Sequence, residues 1–424
     1  MSVSIADSTQ KKHSGTLIPF LFVALTAFLS ENLFFAYGGS RGYYAKMIIQ
    51  IVVGVLAVCV FAVKNSGLKV SPVFLLVVGI IFLSSVIYST SPGVTTGYIF
   101  IILFAYFTSR MFSFERFADL FQQVIFYLCI ISIVLWALVQ FVPASHSIIP
   151  KVSLVNASTG SVARYYSFGI ANVSANRLDL FYRNTGIFWE PGIFQAYINI
   201  SILFEFLTIN RTHSVRYLRV IILILTLITT FSTTGFFALA ILLLFQLLQG
   251  YKMSRHKYVN IVLVAVLGAV LLFFLFNNND VFNKIFGKIF VENRAGSFNS
   301  RYGSIIGNLR VFLRYPILGA GFGRNTVIMQ QLASDIASGV YLDQTNTFLQ
   351  YFSAFGIVAG CYFIYGWVRF SRRLSRGFVG ACMIFVFMLV VTSGENFLPS
   401  AFFNLLLFYG INEQSHIGRG IEKQ

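Results

Sequence analysis

The chain has 424 residues, 57% of them hydrophobic and only 11% charged, with a mean hydropathy of +0.77. A water-soluble fold carries roughly a quarter of its residues charged, so composition excludes a soluble globular protein and points to a polytopic membrane protein. A net charge of +17 would suggest nucleic acid in a soluble chain; here its placement explains it better, and no nucleic-acid partner is expected.

A membrane crossing takes about 20 apolar residues. In chain order, such runs fall near 17–35, 45–63, 71–89, 94–109, 118–142, 191–208, 217–232, 234–250, 258–276, 346–368, 377–393 and 398–412. The first follows Lys11 and Lys12 and lacks a small-x-small cleavage site, so it reads as an uncleaved helix and not as a signal peptide. Orientation follows the basic residues of the short connections. Lys64, Arg110, Arg116, Arg216, Arg219, Lys252, Arg369, Arg372 and Arg373 fall on one side, against Arg41 and Lys46 on the other. The expectation is an all-α protein of about twelve spans in a bacterial inner membrane, with both termini cytoplasmic. Four cysteines, Cys59, Cys129, Cys361 and Cys382, all fall inside apolar runs, so neither a disulfide nor a metal site is expected. The 48 Phe and 21 Tyr exceed what helix packing asks for and suggest interfacial belts or an aromatic-lined cavity.

Two segments on the outer side are long, roughly 143–190 and 277–345. Loops of that length in a compact protein are usually functional or disordered. Both carry aromatic and aliphatic residues throughout and are expected to fold against the helices with short helices of their own; Ser304–Leu313 reads as one at the membrane surface.

The first loop ends in Arg183-Asn-Thr-Gly-Ile-Phe-Trp-Glu190-Pro191-Gly192. Proline suits the first position of a helix, so the sixth span starts at Pro191 and Glu190 becomes its N-cap. There Glu190 can act as a base or orient an acceptor hydroxyl; the plainer alternative is a cap paired with an arginine. The second loop carries Arg301, Arg310, Arg314 and Pro316-Ile-Leu-Gly-Ala-Gly-Phe-Gly-Arg324, then Asp343-Gln-Thr-Asn346. Glycines 319, 321 and 323 follow no strand, which rejects a dinucleotide fingerprint; they permit a tight turn. Asn346 is a candidate cap for the tenth span. Arginines hold phosphate in a bidentate fork, so this set suits a lipid-linked diphosphate, and lipid headgroups or carboxylates are the alternative partners for each. Tyr165, Tyr166, Phe168, Tyr182 and Trp189 could stack on sugar rings or form an interfacial belt.

These motifs resemble the bacterial O-antigen polymerase (Wzy-type) and O-antigen ligase superfamily: Arg183–Gly192, Arg301 followed by the Pro316–Gly323 run, and Asn346-Thr-Phe-Leu-Gln with Phe355-Gly-Ile after it. The resemblance covers roughly the second half of the chain. It implies a membrane glycosyltransferase of the GT-C type that moves a glycan from undecaprenyl diphosphate at the periplasmic face, with no cofactor and no metal. On this reading Arg183 and Arg301 hold the diphosphate, Arg310 and Arg314, four apart and so on one helix face, are further candidates for phosphate, and Arg324, Asn346 and Tyr182 are further candidate substrate contacts. Ligases of this superfamily carry a histidine just before the asparagine of the late helix, and here that position is Thr345. The resemblance therefore favours a polymerase, working with a chain-length-determining co-polymerase among membrane lipids. A ligase and a lipid-linked oligosaccharide flippase are the alternatives; a flippase predicts short outer loops and a charged central cavity, the opposite of this pattern.

Overall fold

A computed structural model describes residues 17–30, 32–37, 39–64, 70–88, 90–155, 162–178, 180–207, 213–249, 296–334, 343–375 and 377–412. The expected span at 258–276 and residues 277–295 and 335–342 of the second loop lie outside the described residues. Each other expected apolar run coincides with a helix. Among the described residues four helices are long and apolar enough to cross a membrane, within Tyr44–Lys64, Pro92–Met111, Phe114–Phe141 and Thr347–Leu374, and six shorter apolar helices accompany them. The protein is a mostly helical membrane protein, organised as two compact units.

The first unit spans residues 1–69, 96–231 and 399–424. It holds α1 (Leu17–Phe28), α2 (Leu33–Tyr37), α3 (Gly39–Lys64), most of α5 (Pro92–Met111), α6 (Phe114–Phe141) and the single turn α7 (Ser145–Ile148). After a sheet come α8 (Pro191–Leu207), α9 (His213–Thr230) and the last helix, α15 (Ala401–Ile411). Every residue of α8 from Pro191 to Glu205 is buried, so this helix is enclosed by protein on all faces. Its wall is aromatic. Tyr197 stacks on Phe188 at 4.6 Å and on Phe402 at 4.8 Å, and Phe402 stacks on Phe121 at 4.4 Å. Offset-stacked rings add attraction beyond the area they bury. The aromatic excess is thus in good part core packing between helices, a use that composition does not distinguish from a belt.

The first outer loop corrects the all-α expectation. Four strands form an antiparallel meander, β1 (Lys151–Val155), β2 (Val162–Ser167), β3 (Asn172–Leu178) and β4 (Phe181–Gly186), in the order β1-β2-β3-β4. Its inner face, Tyr166, Ala171, Val173 and Tyr182, packs with Ile149 on Leu135 and Val139 of α6. The edge strand β4 is met by side chains of that helix: Trp136 Nε1 donates to Tyr182 O at 2.7 Å, and Gln140 Oε1 accepts from Tyr182 N at 3.0 Å. A helix that supplies donors and acceptors to a sheet edge satisfies groups that would otherwise recruit another strand.

The second unit, residues 70–95 and 232–398, holds α4 (Pro72–Ile87), α10 (Thr233–Gln249), α11 (Gly296–Arg314), α12 (Arg324–Leu332), α13 (Thr347–Leu374) and α14 (Phe378–Thr392). The expected surface helix is longer than Ser304–Leu313, running nineteen residues as α11. Helix α13 is broken at Gly356, at φ 75° and ψ −172°. The break exchanges hydrogen bonds with the glycine loop. Ile357 N donates to Pro316 O at 2.8 Å, while Ser353 O and Ala354 O, released from the helix ladder, accept from Ala320 N at 2.8 Å and Gly321 N at 3.1 Å. A kink is tolerated when its freed backbone groups find partners. Here the Pro316–Gly323 run is the partner.

Candidate functional site

In the first unit, Arg183 lies on β4, half-buried, and its Nε donates to Thr230 O at 3.1 Å. Thr230 is the last residue of α9, where the negative end of the helix dipole favours a cation. Its neighbours do structural work. Asn184 is fully buried, donates to Thr229 Oγ1 at 3.0 Å and Ser132 Oγ at 3.2 Å, and accepts from Gly186 N at 3.0 Å. Thr185 Oγ1 donates to Asn172 O at 3.0 Å. Together they tie β4 to α6, α9 and β3, which holds Arg183 in one place.

Pro191 is the first residue of α8, as the sequence indicates. Glu190 precedes it, half-buried, and its carbonyl accepts from Ile193 N at 3.1 Å and Phe194 N at 3.3 Å. Trp189 O accepts from Tyr165 Oη at 2.7 Å, clamping the approach to Glu190 onto β2. Tyr182 faces inward. Its ring is buried among Tyr166, His146 and Arg177, whose Nη2 donates to its hydroxyl at 2.7 Å. It glues the sheet and has no open face for a sugar. Tyr165 and Tyr166 are buried too, leaving half-buried Trp189 and exposed Phe168 as the accessible rings.

In the second unit, α11 carries three of the expected arginines on two opposite faces. Ser304, Asn308 and Val311 are fully buried, and Arg301 continues their stripe toward the start of the helix. At about 100° per residue, Arg310 and Arg314 lie on the opposite side. Arg310 Nη1 donates to Leu332 O, the last residue of α12, while Arg314 is exposed beside the Tyr315 ring. The structure therefore does not gather Arg301, Arg310 and Arg314 around one phosphate. Arg324 opens α12, exposed, with Nη1 donating to Tyr88 O at 3.2 Å and its guanidinium 5.3 Å from the Tyr88 ring.

Asn346 is the N-cap of α13, its side chain accepting from Leu349 N at 2.9 Å. Beneath it lies a buried amide and hydroxyl cluster that sequence reasoning missed. Asn308 and Gln344 exchange hydrogen bonds at 2.7 and 3.0 Å. Ser304 Oγ accepts from Thr345 N at 3.1 Å, and Ser353 Oγ donates to Asn308 Oδ1 at 2.5 Å. The signal was present: Ser304 and Asn308 are polar at i and i+4, and Arg301 sits three residues earlier, in register with the same face. Thr347 Oγ1 donates to Glu395 O and accepts from Phe397 N at 2.9 Å, fixing the outer turn before the last helix beside the start of α13. Neighbouring protein partly desolvates the carboxyl of Asp343, a residue exposed at the surface, and raises it above its usual range. Among the described residues no group of His, Cys, Asp and Glu is placed to hold a metal ion.

No curated protein matches the chain. Residues 218–364 match the family model described as O-Antigen ligase. That segment covers most of α9, all of α10, α11, the glycine loop and α12, and α13 as far as residue 364, including Arg301, Asn346 and the hydrogen-bond exchange at Gly356. The match spans about a third of the chain, so residues 218–364 are similar to that family, and Arg183 and Glu190 lie outside the matched segment.

Proposed function

We propose that the protein is an O-antigen polymerase: a glycosyltransferase of about twelve spans and GT-C type in a bacterial inner membrane, lengthening surface polysaccharide at the periplasmic face. The donor is a growing chain on undecaprenyl diphosphate, and the acceptor is the non-reducing sugar of a second lipid-linked repeat unit. Arg183 and Arg301 bind the donor diphosphate and stabilise charge on it as it leaves, the electrostatic contribution that is usually largest in such transfers. Glu190 orients or deprotonates the acceptor hydroxyl. A co-polymerase sets chain length.

The observation that carries the polymerase reading is the head of α13, where Gln344-Thr345-Asn346 stands at the place a ligase has its histidine, with Gln344 locked to Asn308. The match's own description favours the ligase as a second reading. The banding of lipopolysaccharide from a deletion strain separates the two. A polymerase deletion leaves a single capped repeat, and wild type restores the ladder. Core with no repeat points to the ligase or to the flippase. Arg183→Ala and Arg301→Ala should each fail to restore the ladder while the protein remains in the membrane; full ladders from both would remove these arginines from the site.

A further inference from the structure

Within the second unit an open cleft of about 790 Å³ lies between the α4–α5 turn and the start of α12. Tyr88, Thr90 and Ser91 line it on one side and Gly323 and Arg324 on the other, with Ile87, Val94, Phe322 and Val327 making the apolar walls. Volumes of this order hold a sizeable ligand group. A Cβ on Gly321 would meet Thr90 Cγ2 at 2.6 Å, so glycine at that position lets the loop approach the turn and sets the width of the cleft.

The lining is amphipathic in a specific way. Arg324 is held by its contact with the Tyr88 ring and by one donated hydrogen bond to Tyr88 O. A guanidinium has five N–H donors, so its capacity is mostly unspent. Thr90 and Ser91 add hydroxyls beside it. No carboxylate lines the cleft among the described residues, so the positive charge is not answered from within it. At the rim, Ile87 and Val327 are each about half exposed, at 52% and 53%. A cation and hydroxyls next to an exposed aliphatic rim fit a phosphate group carried on a hydrocarbon chain.

We propose that this cleft binds a lipid-anchored phosphate, and that its guest is the polyprenyl carrier of the acceptor. The proposal rests on the polymerase reading: an enzyme that joins two lipid-linked units has to hold two carriers, and Arg183 and Arg301 account for the donor's alone. The cleft takes the acceptor carrier's diphosphate on Arg324, Thr90 and Ser91, with the first isoprene units along Ile87 and Val327. The same chemistry could come from a bulk phospholipid, and the test separates the two sources.

Full-length protein in phosphatidylcholine nanodiscs is titrated with undecaprenyl diphosphate and read by native mass spectrometry. Wild type should take two molecules per chain. Arg324→Ala, and Val327→Trp as an independent change that fills the cleft, should bind the second at least about tenfold more weakly, the scale of a lost charge-assisted contact. If phosphatidylglycerol displaces the second molecule at equal concentration, the cleft is still a lipid-phosphate site and its occupant is bulk lipid. A second binding event of unchanged strength in both variants overturns the proposal. The ladder of the deletion strain tests the polymerase reading separately: single-repeat product with normal binding in the cleft variants would discard the cleft alone, and core without repeat would discard the polymerase.

Discussion

Asn346 accepts the Leu349 N–H at the head of α13, a geometry set within four residues, and that is why an asparagine before an apolar run could be read as a cap. Asn346→Ala should cost about 1 kcal/mol, the usual loss for a cap, while Asn346→Ser keeps most of it; thermal unfolding in detergent measures both. Tyr182 is the contrary case. Its enclosure by Tyr166, His146 and Arg177 comes from strand pairing and from α6 forty residues earlier, and no local pattern carries that. Asp343 makes a pH prediction. Neighbouring protein partly desolvates its carboxyl and raises it although the residue is exposed, so between the unfolded and folded values the folded chain holds more protons, and stability falls slightly as pH rises through that window. Asp343→Asn cannot ionise. The variant should therefore unfold at a higher temperature than wild type above the window and at the same temperature below it, measured as Tm against pH from 3 to 8 in order-of-unit steps. A constant difference at every pH would assign the effect to something other than ionisation.

At the scale of elements, the exchange between α13 and the glycine loop depends on two residues that have no side chain. Gly356 and Gly319 both have positive φ, at 75° and 66°. A Cβ on Gly356 would overlap the Ile317 carbonyl, and one on Gly319 the Ala354 carbonyl. A non-glycine residue in such a conformation costs about 1–3 kcal/mol before any overlap, and here the obstacle is backbone, which cannot swing aside. Gly356→Ala and Gly319→Ala should each lower Tm and lower the amount of folded protein in the membrane, whereas Gly377→Ala, where a Cβ meets nothing within 4 Å, should change neither. Normal Tm in both loop variants would mean that the loop and helix do not meet in this way. The sequence announced the two glycine motifs separately, at 319–323 and 356, and gave no sign that they were halves of one contact. The sheet was more nearly legible. Val162-Ala-Arg-Tyr-Tyr-Ser and Phe181-Tyr-Arg-Asn-Thr-Gly are rich in β-branched and aromatic residues, and only the expectation that a helical membrane protein has helical loops argued against strands.

Over the whole molecule, hydropathy located the helices because the membrane demands one simple thing of each crossing, an apolar run of sufficient length. The same demand says nothing about which polar side chains meet inside, and so the cluster of Ser304, Asn308, Gln344 and Ser353 stayed hidden. Sidedness lies between these cases. Helix ends that the basic residues assign to one side meet each other within each unit. In the first, Pro19, Lys64, Met111, Ser113 and Arg116 share one pocket, and Lys64 Nζ donates to Met111 O at 3.0 Å. In the second, Tyr88 meets Arg324, and Thr347 meets the Glu395–Phe397 turn. Cysteine labelling tests which side is which. In a background where exposed Cys59, Cys361 and Cys382 are serine, Ser91→Cys and Ser334→Cys should react with a membrane-impermeant maleimide in cells whose outer membrane has been opened. Ser113→Cys should react only once the inner membrane is breached. All three residues are exposed, so failure to label reports the membrane and not burial. The reverse pattern would put Arg301, Arg324 and Asn346 in the cytoplasm, away from any acceptor at the periplasmic face, and the polymerase reading would fall with it.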